Sequence, residues 1–219
     1  MSFLTWQLAD SGFPAGGFAH SGGLEASVQS GYVFDGESLR LFVRQTIAQA
    51  GRGAMPLVAA AHRNVQELGE LDRLSEAFLS NPVANRASRV QGRAFLSTNA
   101  RSFPWAALPP LEERVRNERL AGHHAPLFGA VLNILGVNRR ETERLFLFLA
   151  ARSVGAAAVR LGVIGAYEAQ TLQTLVADDI DRTIDRCADL QPSDISQTTP
   201  ITDLCQSTHD RLYSRLFQS

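Results

Sequence analysis

Three observations predict an all-α fold for this 219-residue chain. Apolar residues recur at helical spacing along most of its length. No run of β-branched residues alternates as a half-buried strand would. Helix punctuation stands at several boundaries: Asp35 before Gly36, the Asn81-Pro82 pair, and Asn138 with Glu141 three residues later. The expectation is a single helical-bundle domain of about ten helices over residues 1–190. A linker and a mobile C-terminal tail follow over residues 191–219.

The elements follow in order. After Asp35, Leu39, Phe42, Val43, Ile47 and Ala50 line one face of a helix over Gly36–Ala50. Met55–Leu68 and Leu71–Leu79 form two further helical patterns, divided near Gly69. Asn81-Pro82 turns the chain, and the proline opens a helix that runs to about Asn99. Arg101–Pro110 carries Pro104, Pro109 and Pro110 with Phe103 and Trp105, and reads as a loop. Helices resume over Leu111–Leu120, Ala125–Leu135 and, after Asn138, Glu141 to about Leu161.

Glu168–Leu190 repeats Leu172, Leu175, Val176, Ile180, Ile184 and Cys187 on one helical face. Its other face mixes Asp178, Asp179, Asp181 and Asp185 with Arg182 and Arg186, the pattern of a solvated, ion-paired surface. Gln191–Thr202 is rich in Ser, Thr, Pro and Gln, a linker composition. Beyond it, Leu212 with Leu216 and Tyr213 with Phe217 are spaced as pairs on one face of a short helix. Such a helix is marginal alone. The tail is therefore expected to dock, on a partner rather than on its own domain.

Composition removes several chemistries. All 21 basic side chains are arginine, and the formal net charge is -1. Without lysine there is no Walker phosphate-loop lysine, no Schiff base and no kinase-type lysine. Arginine suits recognition of carboxylates and phosphates better than proton shuttling. The near-zero charge gives no pull towards nucleic acid or an anionic membrane. Cys187 and Cys205 read as ordinary thiols. No basic region opens Met1–Asp10, and the longest apolar stretch, Ala125–Leu135, is far short of the ~20 residues that span a bilayer. A soluble, cytoplasmic protein is expected.

The glycine-rich segment Gly12–Glu25 could cradle a phosphate, but no strand precedes it, the G-x-G-x-x-G spacing is absent and no lysine follows. A tight helix connection with Phe13 and Phe18 anchored in the core is the preferred reading. Among His20, His62, His123, His124 and His209, the adjacent pair cannot share a helical face. Metal-type Cys-x-x-Cys and His-x-x-x-His spacings are missing. No metal ligand set is assigned, although a weak site shared across a symmetric dimer stays open. No G-x-S-x-G elbow or defensible catalytic constellation exists, so the chain is not expected to be an enzyme. Arg144, Phe148 and Arg152 form one stripe, with Arg160 near the helix end. That stripe suits an interface hot spot, or equally a core phenylalanine flanked by snorkelling arginines.

Longer motifs give a resemblance. The opening runs Trp6-Gln7-Leu8-Ala9-Asp10-Ser11-x-x-Pro14-x-Gly16-Gly17-Phe18-Ala19-His20-Ser21-x-Gly23-Leu24-Glu25. Then come Asn85-Arg86-Ala87-Ser88-x-x-x-Gly92-x-Ala94-Phe95-Leu96 and His123-His124-Ala125-Pro126-x-Phe128-Gly129. Ala157-x-Val159-Arg160-Leu161-Gly162-x-Ile164-Gly165 and the ending Tyr213-Ser214-Arg215-Leu216-Phe217-x-Ser219 complete the series. Together these blocks resemble the urease accessory protein UreF family over nearly the whole chain.

The resemblance implies a non-enzymatic urease maturation factor. It would bind the accessory protein UreD (UreH in some organisms), recruit the GTPase UreG and dock on apo-urease for nickel insertion. A homodimer within that complex is implied, with no cofactor of its own, nickel handled by the complex and GTP bound by UreG. By the same resemblance, Glu25 and Arg160 are the residues expected to couple to UreG. Arg160 stands where the family often has lysine, which keeps the charge but changes its geometry. Leu212, Tyr213, Arg215, Leu216 and Phe217 fall in the tail that binds UreD, and Arg144 and Phe148 in the self-association region. The competing expectation is a nickel-binding metallochaperone using His20, His123 and His124.

Overall fold

The computed structural model describes residues 3–219, and among them every regular element is a helix or a 3-10 turn. The α-helices are α1 (Phe3–Ala9), α2 (Leu24–Gln29), α3 (Gly36–Gly53), α4 (Met55–Arg63), α5 (Leu68–Phe78) and α6 (Pro82–Ser102). The second half holds α7 (Pro109–Asn117), α8 (His124–Ile134), α9 (Arg139–Arg160), α10 (Ala166–Leu175), α11 (Ala177–Cys187) and α12 (Pro200–Ser207).

The arrangement centres on α8. Ala125 through Leu132 are all buried, so this helix presents no polar face and must be enclosed on every side. It packs chiefly between α4, itself buried from Met55 to Ala61, and α6. Two glycines permit the approach. A Cβ at Gly129 would run into the Val58 carbonyl of α4, and one at Gly92 of α6 into the Gly122 carbonyl just before α8.

The start of α8 would leave backbone donors unsatisfied in this interior. Buried Asp72 of α5 accepts from the N–H groups of Ala121 (2.6 Å), Gly122 (3.0 Å) and His123 (2.7 Å). Its negative charge also sits at the favourable end of the helix dipole.

Around this centre, α9 packs against α3, α10 and α11. Several sequence boundaries hold: Asp35 caps α3, Asn81 and Pro82 open α6, and the Asn138 side chain accepts from Glu141 N to start α9. The aspartate face of α11 does more than meet water. Asp179 pairs with Arg44 of α3 (2.9 Å), Asp181 with Arg144 (2.6 Å) and Asp185 with Arg140 (2.9 Å) of α9.

Other expectations are corrected. The break after α4 falls at Asn64, which turns extended and caps Gln66 N with its side chain, whereas Gly69 lies inside α5. The pattern over Glu168–Leu190 divides into α10 and α11 at Val176, whose ψ of 0° takes it out of the helix. The linker composition over Gln191–Thr202 is held against α3: Gln49 bonds Ser196 O and Thr198, and Arg52 O accepts from Ser196 N. The tail beyond α12 forms one 3-10 turn (His209–Arg211), is extended at Leu212 (φ −63°, ψ 137°) and then bends at Tyr213–Ser214 and Leu216–Phe217, with no helix.

His124, at the start of α8, is enclosed by Phe95, Phe128 and Phe146. Burial, with a smaller contribution from His20, lowers its pKa to about 4 from an ordinary 6.5. The neutral ring is compatible with the fold and the charged ring is not. Its contribution to stability is complete above pH 6.5 and is lost as pH falls towards 4, where the unfolded chain binds a proton that the folded chain does not. Urea unfolding of the wild type should therefore weaken by about 2–3 kcal/mol over that window. His124→Phe should flatten this acid limb; an unchanged limb would remove His124 as its source.

Candidate functional site

The first and last segments of the chain meet in one seam. After α1 the backbone makes a 3-10 turn at Gly17–Ala19 and enters α2 through Gly22 and Gly23. Gly23 has a φ of 88°, and a Cβ there would press on Gln206 of α12, so glycine meets both the conformation and the approach. From α12 the tail turns at His209 and returns along the glycine-rich segment.

Backbone and side-chain bonds fasten the two segments. Gln218 N donates to Ala19 O at 2.8 Å, and Ser21 N donates to Ser219 O at 2.5 Å. The Ser21 hydroxyl donates to the same oxygen at 3.1 Å, and His20 Nδ1 lies 2.5 Å from Ser219 Oγ. Gln29 Nε2 reaches Ser214 O at 2.9 Å.

Glu25, in the first turn of α2, is only 2% exposed. Its carboxylate accepts from Leu216 N (2.6 Å) and Phe217 N (3.1 Å). His209 Nε2 is 3.9 Å from the same carboxylate and bonds Phe217 O at 3.2 Å. Arg160, at the last residue of α9, places its guanidinium 4.0 Å from the Phe18 ring centroid and 4.1 Å from that of Phe217. Its Nη1 also donates to Phe18 O at 2.7 Å. Each of the two cation–ring contacts contributes on the order of 0.5–2 kcal/mol.

The seam is dry enough to matter electrostatically. Burial, then Arg86 and His209, lower the pKa of His20 below 6.5 and keep its ring neutral. His20 Nε2 and His209 Nδ1 are buried without a hydrogen-bond partner.

Glu25, Arg160, Leu216 and Phe217 are thus brought together, although they come from three distant parts of the chain. The tail lies on its own domain here, against the expectation of a partner. Phe217 is buried in the seam, whereas Tyr213 is fully exposed and Leu216 half exposed on its outer side. Leu212 is half-buried, and Arg215 reaches Asp210 at 3.3 Å. Phe18 is exposed and stacked on Arg160 instead of anchored in the core, while Phe13 does pack, against Phe103. Arg144 and Phe148 lie apart from the seam on α9: Arg144 is tied to Asp181, and Phe148 is partly buried against the core.

The three candidate metal histidines are each engaged separately. His20 faces Ser219, His124 faces three phenylalanines, and buried His123 bonds Glu76 (2.8 Å) and Ser88 (3.1 Å). Among the described residues no group of three or more His, Cys, Asp or Glu is placed to hold a metal ion. Sequence reasoning missed His209, Ser21 and Ser219 as seam residues. The available signal was a histidine at the head of a tail carrying Leu212, Leu216 and Phe217, and a second histidine in the first motif.

Removing the Glu25 carboxylate leaves two N–H groups of the tail without an acceptor, a cost of about 1–3 kcal/mol for each that stays buried. Glu25→Ala should therefore release the tail: hydrogen exchange at Leu216 and Phe217 accelerates while α8 stays protected. Retained protection at those two amides would assign the docking to Arg160 and the backbone pairs alone. Docking should also weaken as pH falls below 6.5, because His20 can take a proton in the free tail state more readily than in the seam.

The UreF family model matches residues 33–177. Urease accessory protein F of Oryza sativa subsp. indica is 38% identical over 216 residues, covering 97% of this chain and 83% of the relative. Its counterpart in Arabidopsis thaliana is 32% identical over 225 residues, covering 100% and 93%. The urease accessory protein UreF of Arthrobacter sp. (strain FB24) is 30% identical over 213 residues, covering 97% and 95%. With an all-α fold, end-to-end similarity and a family match across its middle, the chain belongs to the UreF family of urease accessory proteins.

Proposed function

We propose that this chain is a non-catalytic scaffold of urease maturation. It binds UreD (UreH), recruits the GTPase UreG and docks on apo-urease so that nickel reaches the urease active site. The single observation that carries the reading is the seam, in which Glu25 and Arg160 hold the tail that the motif match associates with a partner. A docked tail leaves Tyr213 and Leu216 exposed, and Phe18 beside Arg160 is exposed as well. Exposed aromatic and aliphatic groups beside an arginine have the composition of an interface hot spot. The tail thus serves two sides: Phe217 anchors it inward, and its outer residues meet UreD.

The same reading gives Glu25 and Arg160 an indirect role. Both are committed to the tail, so their effect on UreG recruitment runs through the shape of the seam. Arg144 and Phe148 belong to the self-association face of the homodimer. No helix among the described residues is long and apolar enough to cross a membrane, in keeping with assembly on other proteins.

The test is a pull-down of the tagged full-length chain from cells expressing the urease structural and accessory proteins. Tyr213→Ala with Leu216→Ala should lower UreD recovery about tenfold or more, as loss of a hot-spot pair does. The helical circular dichroism and thermal midpoint should not change, because neither side chain is buried in the core. Undiminished UreD recovery would refute the docking role of the tail. Absence of every urease component from the wild-type pull-down would refute the scaffold reading itself.

A further inference from the structure

The outer side of α6 carries a basic stripe. Arg86, Arg89 and Arg93 lie on one stripe of that helix, spaced by three and four residues, along a groove of about 690 Å³. Leu79 and the half-exposed Val90 supply apolar surface within the same groove.

Its charges are left unmatched. On the α3–α9–α11 face, Arg44, Arg140, Arg144 and Arg182 each have a carboxylate within 2.9 Å. In the groove, no ion pair is formed by Arg89 or Arg93 among the described residues. Arg86 shares the single carboxylate of Asp210 with Arg215. Glu76, the one acidic residue lining the groove, gives an oxygen to buried His123. That bond comes first among the causes that hold the Glu76 carboxyl below its ordinary range, and nearby Arg89 adds little. Among the described residues, three arginines therefore line a groove with one carboxylate that is already engaged, and Arg86 alone of the three is ion-paired, with Asp210 of the tail.

We infer that this groove is a docking site for an acidic, amphipathic helix of a partner protein. Arg86 to Arg93 spans roughly 10 Å, two helical turns, which matches carboxylates repeated at three- and four-residue spacing on a facing helix. Arginine forks take carboxylates in two parallel bonds, and an apolar residue between them on the partner covers Val90 and Leu79. The chain as a whole has a net charge of -1, which gives no overall pull on a long polyanion. No aromatic side chain lines the groove on which a base could stack. The groove adjoins the seam through the Arg86–Asp210 pair, and the inference does not rest on the assignment to urease maturation.

The test uses the full-length chain and a fluorescent helical peptide with glutamates along one face and leucines beside them. Fluorescence anisotropy should show binding that weakens with added salt, as charge-led association does. Arg89→Glu with Arg93→Glu should reduce affinity about tenfold or more. Reversing two arginines on other helices, Arg40→Glu on α3 with Arg186→Glu on α11, should leave affinity unchanged. Circular dichroism confirms folding of both variants. No binding by the wild type, or an equal loss in the α3–α11 variant, would overturn the site. Tighter binding of a single-stranded oligonucleotide than of the peptide, lost in the groove variant, would overturn the protein partner in favour of nucleic acid.

Discussion

Everything in this molecule is arranged around the need to enclose α8. A helix that is apolar on all sides gains only by complete removal from water, and at roughly 25 cal/mol per Å² that gain dominates the fold. Enclosure creates two difficulties, which specific residues resolve. The backbone must come close, and glycine at positions 92 and 129 removes the obstructing Cβ. The helix start must shed its hydration, and the Asp72 carboxylate replaces three water acceptors at once. Loss of Asp72 would leave those donors buried and bare, which costs more than the bonds themselves contribute. The two family blocks around Gly92 and His123 are therefore a packing device read from both of its sides.

The seam is built on the opposite principle. Beside the aromatic contacts of Arg160 with Phe18 and buried Phe217, it depends on polar matching: a buried carboxylate, two tail N–H groups and two backbone bonds. Such a junction is local and can open without disturbing α8. The imidazoles of His20 and His209 inside it each leave one nitrogen unpaired, so the closed seam carries an unrelieved desolvation cost. Low intrinsic stability is what a segment needs if it is to exchange contacts with a partner. The rigid centre and the loosely held margin are thus complementary parts of one scaffold.

Much of the centre was legible in the sequence, because burial on every side writes an uninterrupted apolar run and caps write Asn, Asp and Pro at fixed offsets. The helices α3, α6, α8 and α9 fall where periodicity and capping place them. Their failures have a common cause. Gly69 looked like a break but sits inside α5, against Glu118 and Leu120, while the true break at Asn64 needed a side-chain cap of a kind that many asparagines could offer. Leu212, Tyr213, Leu216 and Phe217 have helical spacing, yet Glu25 takes the N–H groups of Leu216 and Phe217 and the tail bends there without forming a helix. Periodicity cannot report a competitor that lies almost the whole chain away. The pairing of Glu25 with Arg160 in one site was suggested only by the motif match. Its geometric reason, a shared grip on Phe217, required the fold.

The lysine-free composition acquires a specific meaning at Arg160. Its guanidinium lies 4.0 Å from the Phe18 ring centroid and 4.1 Å from that of Phe217, while Nη1 donates to Phe18 O. An ammonium is a strongly hydrated point charge on a flexible stem. It lacks the delocalised, weakly hydrated plane that lets one side chain meet two rings and a carbonyl together. Arg160 thereby ties the end of α9 to the first motif through Phe18 and to the tail through Phe217.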